Sequence, residues 1–151
     1  MSTAWLPYQL EAAAPERAVD DAQDSGVVMP SVSIAVLQHD PKVNQSLTIL
    51  LSQAFSSVYS ARSLDELQLQ IRKHRARAAI LDMEMASVSD VQALSREFPA
   101  THIVCNHRIA DDKMWTAVMN AGAADCLPSS DAEGIVTAAL REAGAAEGMA
   151  A

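Results

Sequence analysis

Residues 78–86 read AAILDMEMA. Ala78 to Leu81 are small or apolar, the run stops on one carboxylate at Asp82, and the polarity then becomes irregular. A short apolar run of this kind suits a strand buried on both faces. The acid at its end is either a helix cap or a group at the rim of a sheet. The next helical pattern starts several residues later, in SVSDVQALSREF (87–98), and Ser87 can cap it unaided. Asp82 is therefore read as a rim residue.

The same strand-then-helix unit recurs on either side. SVSIAVL (31–37) leads to PKVNQSLTILLSQAF (41–55), with Pro41 in the first helical position after Asp40 as cap and Val43, Leu47, Leu50, Leu51 and Ala54 at helical spacing. SVYSA (57–61) leads to SLDELQLQIRKHR (63–75), where Ser63 and Glu66 make a capping box and Leu64, Leu67 and Ile71 form the stripe. After the third unit, THIVCN (101–106) precedes ADDKMWTAVMNAG (110–122), closed by Gly122 at C′. AADCLP (123–128) precedes SDAEGIVTAALREAG (130–144), with Ser130 and Glu133 as a second capping box and Gly144 as its end. Five such units predict an α/β chain: a doubly wound, five-stranded parallel sheet in a three-layer (βα)5 sandwich, two helices on one face and three on the other.

Composition bounds the rest. The chain has 151 residues and a net charge of −8, distributed unevenly. Residues 1–30 carry Glu11, Glu16, Asp20, Asp21 and Asp24 against Arg17 and read as an acidic extension, with an apolar cluster WLPYQL at its start that could dock on its own domain or on a partner. Residues 31–143 form the folded domain and 144–151 a tail. Within 31–146, 13 acids face 10 bases, which offers a phosphate backbone little to hold, so no nucleic-acid partner is expected. No run reaches the roughly 18 apolar residues of a membrane span, and no secretory leader is visible, so a cytoplasmic chain without a membrane partner is expected. Cys105 and Cys126 sit in apolar runs without zinc-ligand spacing and read as buried, reduced thiols.

Ligand sites in such sheets lie beyond the carboxyl ends of the strands. The residues there are Gln38, His39 and Asp40, then Asp82, then Asn106 and His107, then Pro128, Ser129 and Ser130. His39 and Ser129 should share a shallow pocket with Asp82. His39, Asp82 and His107 could also gather a transition metal, since two imidazoles and a carboxylate form a real ligand type. No serine–histidine–aspartate arrangement is apparent. On the fourth helix, Met114, Val118 and Ala121 can face the sheet. Trp115 and Met119 then mark either a rim for protein contact or the core of a rotated helix.

VLQHDP (36–41), ILDMEMA (80–86) and NAGAADCLPSS (120–130) together resemble the response-regulator receiver domain, the phosphoacceptor module of two-component signalling. The resemblance covers about residues 31–143 and implies a CheY-like, flavodoxin-shaped fold and a signalling role, not an enzyme. It places Asp82 at the phosphoacceptor position. It also implies a magnesium ion held by two acids at the first strand end and by the acceptor, a lysine before a proline at the fifth strand end, a hydroxyl at the fourth, and an aromatic residue on the fifth strand. This chain has Gln38 and His39 in place of the acid pair, with Asp40 one position on. Ser129 and Ser130 replace the lysine–proline pair, Asn106 or His107 the hydroxyl, Cys126 the aromatic and Ala86 the proline after the acceptor loop. Asp82, helped by Asp40, is the remaining candidate metal ligand. The expectation is a degenerate receiver that works by protein–protein contact, without a cofactor. The alternative is a working phosphoacceptor that takes magnesium and a phosphoryl group from a cognate histidine kinase. A homodimer is compatible with either.

Overall fold

The computed structural model describes residues 29–150; the WLPYQL cluster and the acidic extension up to residue 28 lie outside the described residues. β1 (Met29–Leu37), α1 (Pro41–Ser52), β2 (Phe55–Ala61), α2 (Leu64–His74), β3 (Ala78–Asp82), α3 (Val88–Glu97), β4 (His102–His107), α4 (Asp112–Asn120), β5 (Asp125–Pro128) and α5 (Ala132–Ala150) alternate along the chain. The strands make one sheet in the order β2-β1-β3-β4-β5, every neighbouring pair parallel. No helix of the described residues is long and apolar enough to cross a membrane.

The sheet is covered on both faces, which is why its central strand carries no alternation: all five residues of β3 are buried. On one face Leu47 and Leu51 of α1 and Ile135 and Ala139 of α5 pack on Ile34, Val36, Ile80 and Val104. On the other, Leu67 and Ile71 of α2, Val91 and Leu94 of α3 and Val118 of α4 pack on Ala35, Leu37, Leu81 and Cys105. Two helices thus lie against three, as the sequence pattern predicts. Each fully buried leucine or isoleucine contributes about 1.5–3 kcal/mol, so these two seams supply most of what holds the sheet between its helices.

Local chemistry fixes the helix starts. The Asp40 carboxylate accepts from Lys42 N at 2.9 Å, with Pro41 opening α1. Ser63 Oγ accepts from Glu66 N at 3.1 Å, while the Glu66 carboxylate reaches back one residue further, to Arg62 N. Ser87 and Asp90 close a reciprocal box at the start of α3. Gly122 follows α4 at φ +113°, and a Cβ there would lie 2.1 Å from Ser95 Oγ, so this corner requires glycine.

The first two strands each open two residues earlier than the sequence pattern, at Met29 and Phe55, and three helix ends differ from it. The first helix ends at Ser52, not Phe55: Phe55 opens β2 and is buried beneath α1, so the helical spacing had run on into a strand residue that belongs to the same core. The last helix does not stop at Gly144 but runs to Ala150, because a lone glycine is only a weak break among alanines. Its start is capped by Asp131, whose Oδ1 accepts from Gly134 N at 3.0 Å, and not by the Ser130–Glu133 pair.

Register sets the site. Leu37 pairs with Leu81, Leu81 with Cys105, and Asp82 with Asn106. Val36, Ile80 and Val104 face α1 and α5, while Leu37, Leu81 and Cys105 face the other three helices. By the same alternation the next residues, Gln38, Asp82 and Asn106, form one row turned back toward α1 and α5. Farther along the sheet, Cys105 pairs with Cys126 across β4 and β5, and both thiols are buried and unbridged.

Candidate functional site

Gln38, Asp82 and Asn106 are the buried polar side chains among the described residues, at 9%, 1% and 0% exposure. All three stand in the row at the carboxyl end of the sheet. Buried polar groups must be paired, and here each is. The Gln38 and Asn106 amides bond reciprocally over the end of β3, Gln38 Nε2 donating to Asn106 Oδ1 at 2.7 Å and Asn106 Nδ2 to Gln38 Oε1 at 3.0 Å. Asn106 Nδ2 also donates to Ser129 Oγ at 2.7 Å. The Asp82 carboxylate is held from two sides: His39 N donates to Oδ2 at 3.0 Å and Glu84 N to Oδ1 at 2.9 Å. The His39 ring adds a contact from Nδ1 to the same Oδ2.

Electrostatics follow from that contact. The Asp82 hydrogen bond, reinforced by the negative charges of Asp82, Glu84 and Asp40 and partly opposed by desolvation, raises the His39 imidazole above its ordinary pKa. A cation is thereby favoured on Asp82, supplied by the chain itself. Glu84 points the same way, with Arg108 Nε 3.7 Å from its carboxylate.

The structure brings Gln38, His39, Asp40, Asp82 and Ser129 to one cavity of about 240 Å³, joined by Val43, Glu84 and Arg108. Asn106 lies just beneath, reaching it through Gln38 and Ser129. His107 does not join them. Its Nδ1 is engaged with the backbone of Ile109 at 3.0 Å, and it lines a separate cavity with Val88, Asp111 and Met114. A metal site of His39, Asp82 and His107 is therefore not formed. The reason is that β4 ends with Asn106 turned into the site and His107, one residue on, turned out of it. Asp40 lines the cavity, but its Oδ1 caps α1. On α4, Val118 and Ala121 are buried and Met114 packs on the same core, whereas Trp115 is 45% exposed. Trp115 is thus a surface residue, with Met119 one turn on and half-buried.

Glu84 and Arg108 went unnoticed in the sequence. The available signal for Glu84 was its spacing: two residues past Asp82, it can come back to the same side of an extended segment. Nothing in the local pattern singled out Arg108.

The residues present do not fit magnesium. That ion demands near-octahedral oxygen ligation. Here one of the two positions that would carry acids holds an amide engaged by Asn106, and the other holds an imidazole, a poor magnesium ligand, seated on the one buried carboxylate.

No protein-family model matches the chain and no curated protein matches it. Solved structures do. A CheY-like receiver domain from Methanospirillum hungatei JF-1 superposes with a TM-score of 0.69 at 14% identity, over 78% of this chain and 98% of that one. The N-terminal receiver domain of a two-component response regulator from Bacteroides fragilis gives 0.67 at 20% identity, over 74% and 95%. The Salmonella typhimurium response regulator RcsB gives 0.66 at 17% identity, over 75% of this chain but 59% of that one. At these identities the likeness shows the fold: the chain has the fold of response-regulator receiver domains.

Proposed function

We propose that this chain is an atypical receiver module that acts in signal transduction through protein–protein contacts, without ordinary magnesium-dependent phosphorylation of Asp82. The observation that carries this reading is the self-contained pairing of the site. Phosphoryl transfer is mostly positioning and charge stabilisation. A receiver of the usual kind leaves that charge to an external metal and a lysine. Here His39 sits on the carboxylate, Gln38 and Asn106 satisfy each other, and Ser129 bonds Asn106 where a phosphoryl-binding lysine would stand. The site is complete without a phosphoryl group.

The surface supports a contact role. Trp115 on α4 and Ile109 before it are exposed, and Val88 at the start of α3 is partly so. An exposed tryptophan is a common interface anchor. The partner class is a signalling protein, or a second copy of this chain.

The alternative is a working phosphoacceptor served by a histidine kinase, and one observation favours it: Asp82 keeps the acceptor position at the end of β3 and borders an open cavity. Incubation with acetyl phosphate, with and without magnesium, followed by intact-mass measurement separates the two. The expected result is an unchanged mass, together with magnesium binding weaker than about millimolar, since hard cations need several oxygen ligands. A magnesium-dependent phosphoryl adduct on Asp82 would overturn the contact-only reading.

A further inference from the structure

We propose that His39, Asp82 and Glu84 form a binding site for a borderline divalent transition metal, with zinc as the reference ion. The proposal does not depend on the signalling reading. One ligand atom from each residue lies within 4.8 Å of the other two. A zinc ion bound at about 2.0–2.2 Å holds tetrahedral donors about 3.4 Å apart, so the outermost atoms need to close by at most about 1.4 Å.

The three side chains divide that movement unequally. Asp82 is 1% exposed and pinned by two backbone N–H groups. Each of its oxygens keeps a further lone pair, because a carboxylate offers about four acceptor sites. It is the rigid anchor. The His39 side chain is 47% exposed and that of Glu84 24% exposed, so both can adjust by rotamer. Nδ1 of His39 already stands on Asp82 Oδ2. A cation at this point takes the place of the proton between them, which leaves to solvent, and the half-exposed His39 ring withdraws by about an ångström to the donor spacing the ion sets. Arg108, the counter-charge of Glu84, is 75% exposed and held only at 3.7 Å, so it can be displaced.

Charge and ligand type select the ion. Two carboxylates and a neutral imidazole balance a divalent cation. An imidazole donor suits zinc, copper, nickel and iron and disfavours magnesium. Three protein ligands with the adjoining cavity of about 240 Å³ leave room for a water in a fourth position. The same substitution that removes the magnesium site thus supplies the nitrogen a softer ion needs. Other candidates among the described residues are poorer. His102 faces only Glu142, at 3.9 Å. Cys105 and Cys126 are sealed in the core.

The test is calorimetric titration of chelator-stripped, full-length protein with zinc chloride and, separately, magnesium chloride, with cobalt(II) visible absorption as a second readout of coordination. The expected result is one zinc per chain, at least tenfold tighter than magnesium, and cobalt bands displaced by zinc. His39→Asn and Glu84→Gln, both at accessible positions, should each weaken zinc binding about tenfold or more, at least what loss of a supporting contact costs elsewhere. His107→Asn should bind like the parent. Absence of saturable zinc binding, magnesium affinity equal to that for zinc, or zinc affinity unchanged in both His39→Asn and Glu84→Gln would each overturn the proposal.

Discussion

Replacing Asn106 with alanine should be among the more damaging single changes at the carboxyl end of the sheet. Asn106 is fully buried and makes three side-chain hydrogen bonds, two with Gln38 and one with Ser129. Its loss leaves the Gln38 amide, 9% exposed, without a donor or acceptor. A net hydrogen bond contributes about 1 kcal/mol and a buried polar group left unmade costs about 1–3 kcal/mol, so Asn106→Ala should destabilise by about 3 kcal/mol. Gln38→Ala should cost less, about 2 kcal/mol, because Asn106 keeps Ser129. The two changes remove the same pair of bonds, so they are not additive. The double variant should cost about 3 kcal/mol, a coupling of about 2 kcal/mol. Urea denaturation of the four proteins measures the cycle, with an unchanged denaturant slope confirming that the unfolded reference is the same. If Asn106→Ala cost less than about 0.5 kcal/mol, as an ordinary surface change does, the amide bridge would not be what closes this site. Simple additivity in the double variant would mean the same.

Three further outcomes follow from the structure. His39 has its pKa raised above 6.5 by Asp82, so its contribution to stability is fully present below that value and is lost as pH rises through the higher folded-state pKa. In chelator, the stability gap between the parent and His39→Gln should shrink on going from mildly acidic to alkaline buffer, and a gap independent of pH would contradict the ion pair. Gly122→Ala places a side chain at φ +113° and against Ser95, so it should lower the melting temperature by an amount equivalent to at least 1 kcal/mol, whereas an unchanged melting curve would mean that the corner tolerates a Cβ. In a pull-down from cell extract, Trp115→Ala should weaken partner capture by about 2 kcal/mol or more while Asp82→Asn changes it little, and the reverse ranking would remove support for a constitutive contact module.

The sheet was legible because burial on both faces leaves a coarse signal: five apolar runs, each followed by helical spacing, admit few other arrangements. Helix starts were legible where one short side chain settles the matter, as at Asp40, Ser63 and Ser87. Ends were less so. Phe55 and Gly144 were misplaced because a buried residue after a helix looks like a continuation of it, and because a glycine can sit in a helix as well as beyond one. At the site, strand ends identified which residues could meet, and Gln38, His39, Asp82 and Ser129 do border one cavity. Direction was not encoded in the same way. His107 turns out by one step of the strand alternation, and Glu84 comes in through a loop whose path depends on tertiary bonds from Asp82 and Asn106, including Met83 N to Asn106 O at 2.8 Å.

The facing thiols of Cys105 and Cys126 make the β4–β5 seam a built-in clock. Burial holds both above the ordinary thiol range, Cys126 at about 11, with Asp125 and Asp111 adding to the effect. In the closed sheet neither presents appreciable thiolate at neutral pH, and the thiolate is the species that alkylating reagents attack. Labelling must then wait for the strands to part, so its rate counts openings of that edge, as exchange protection does for amides. Because the pair lies on the face away from Asp82, the count can be taken with the site intact, and it would register directly whether a partner seated on α4 holds the neighbouring strand shut.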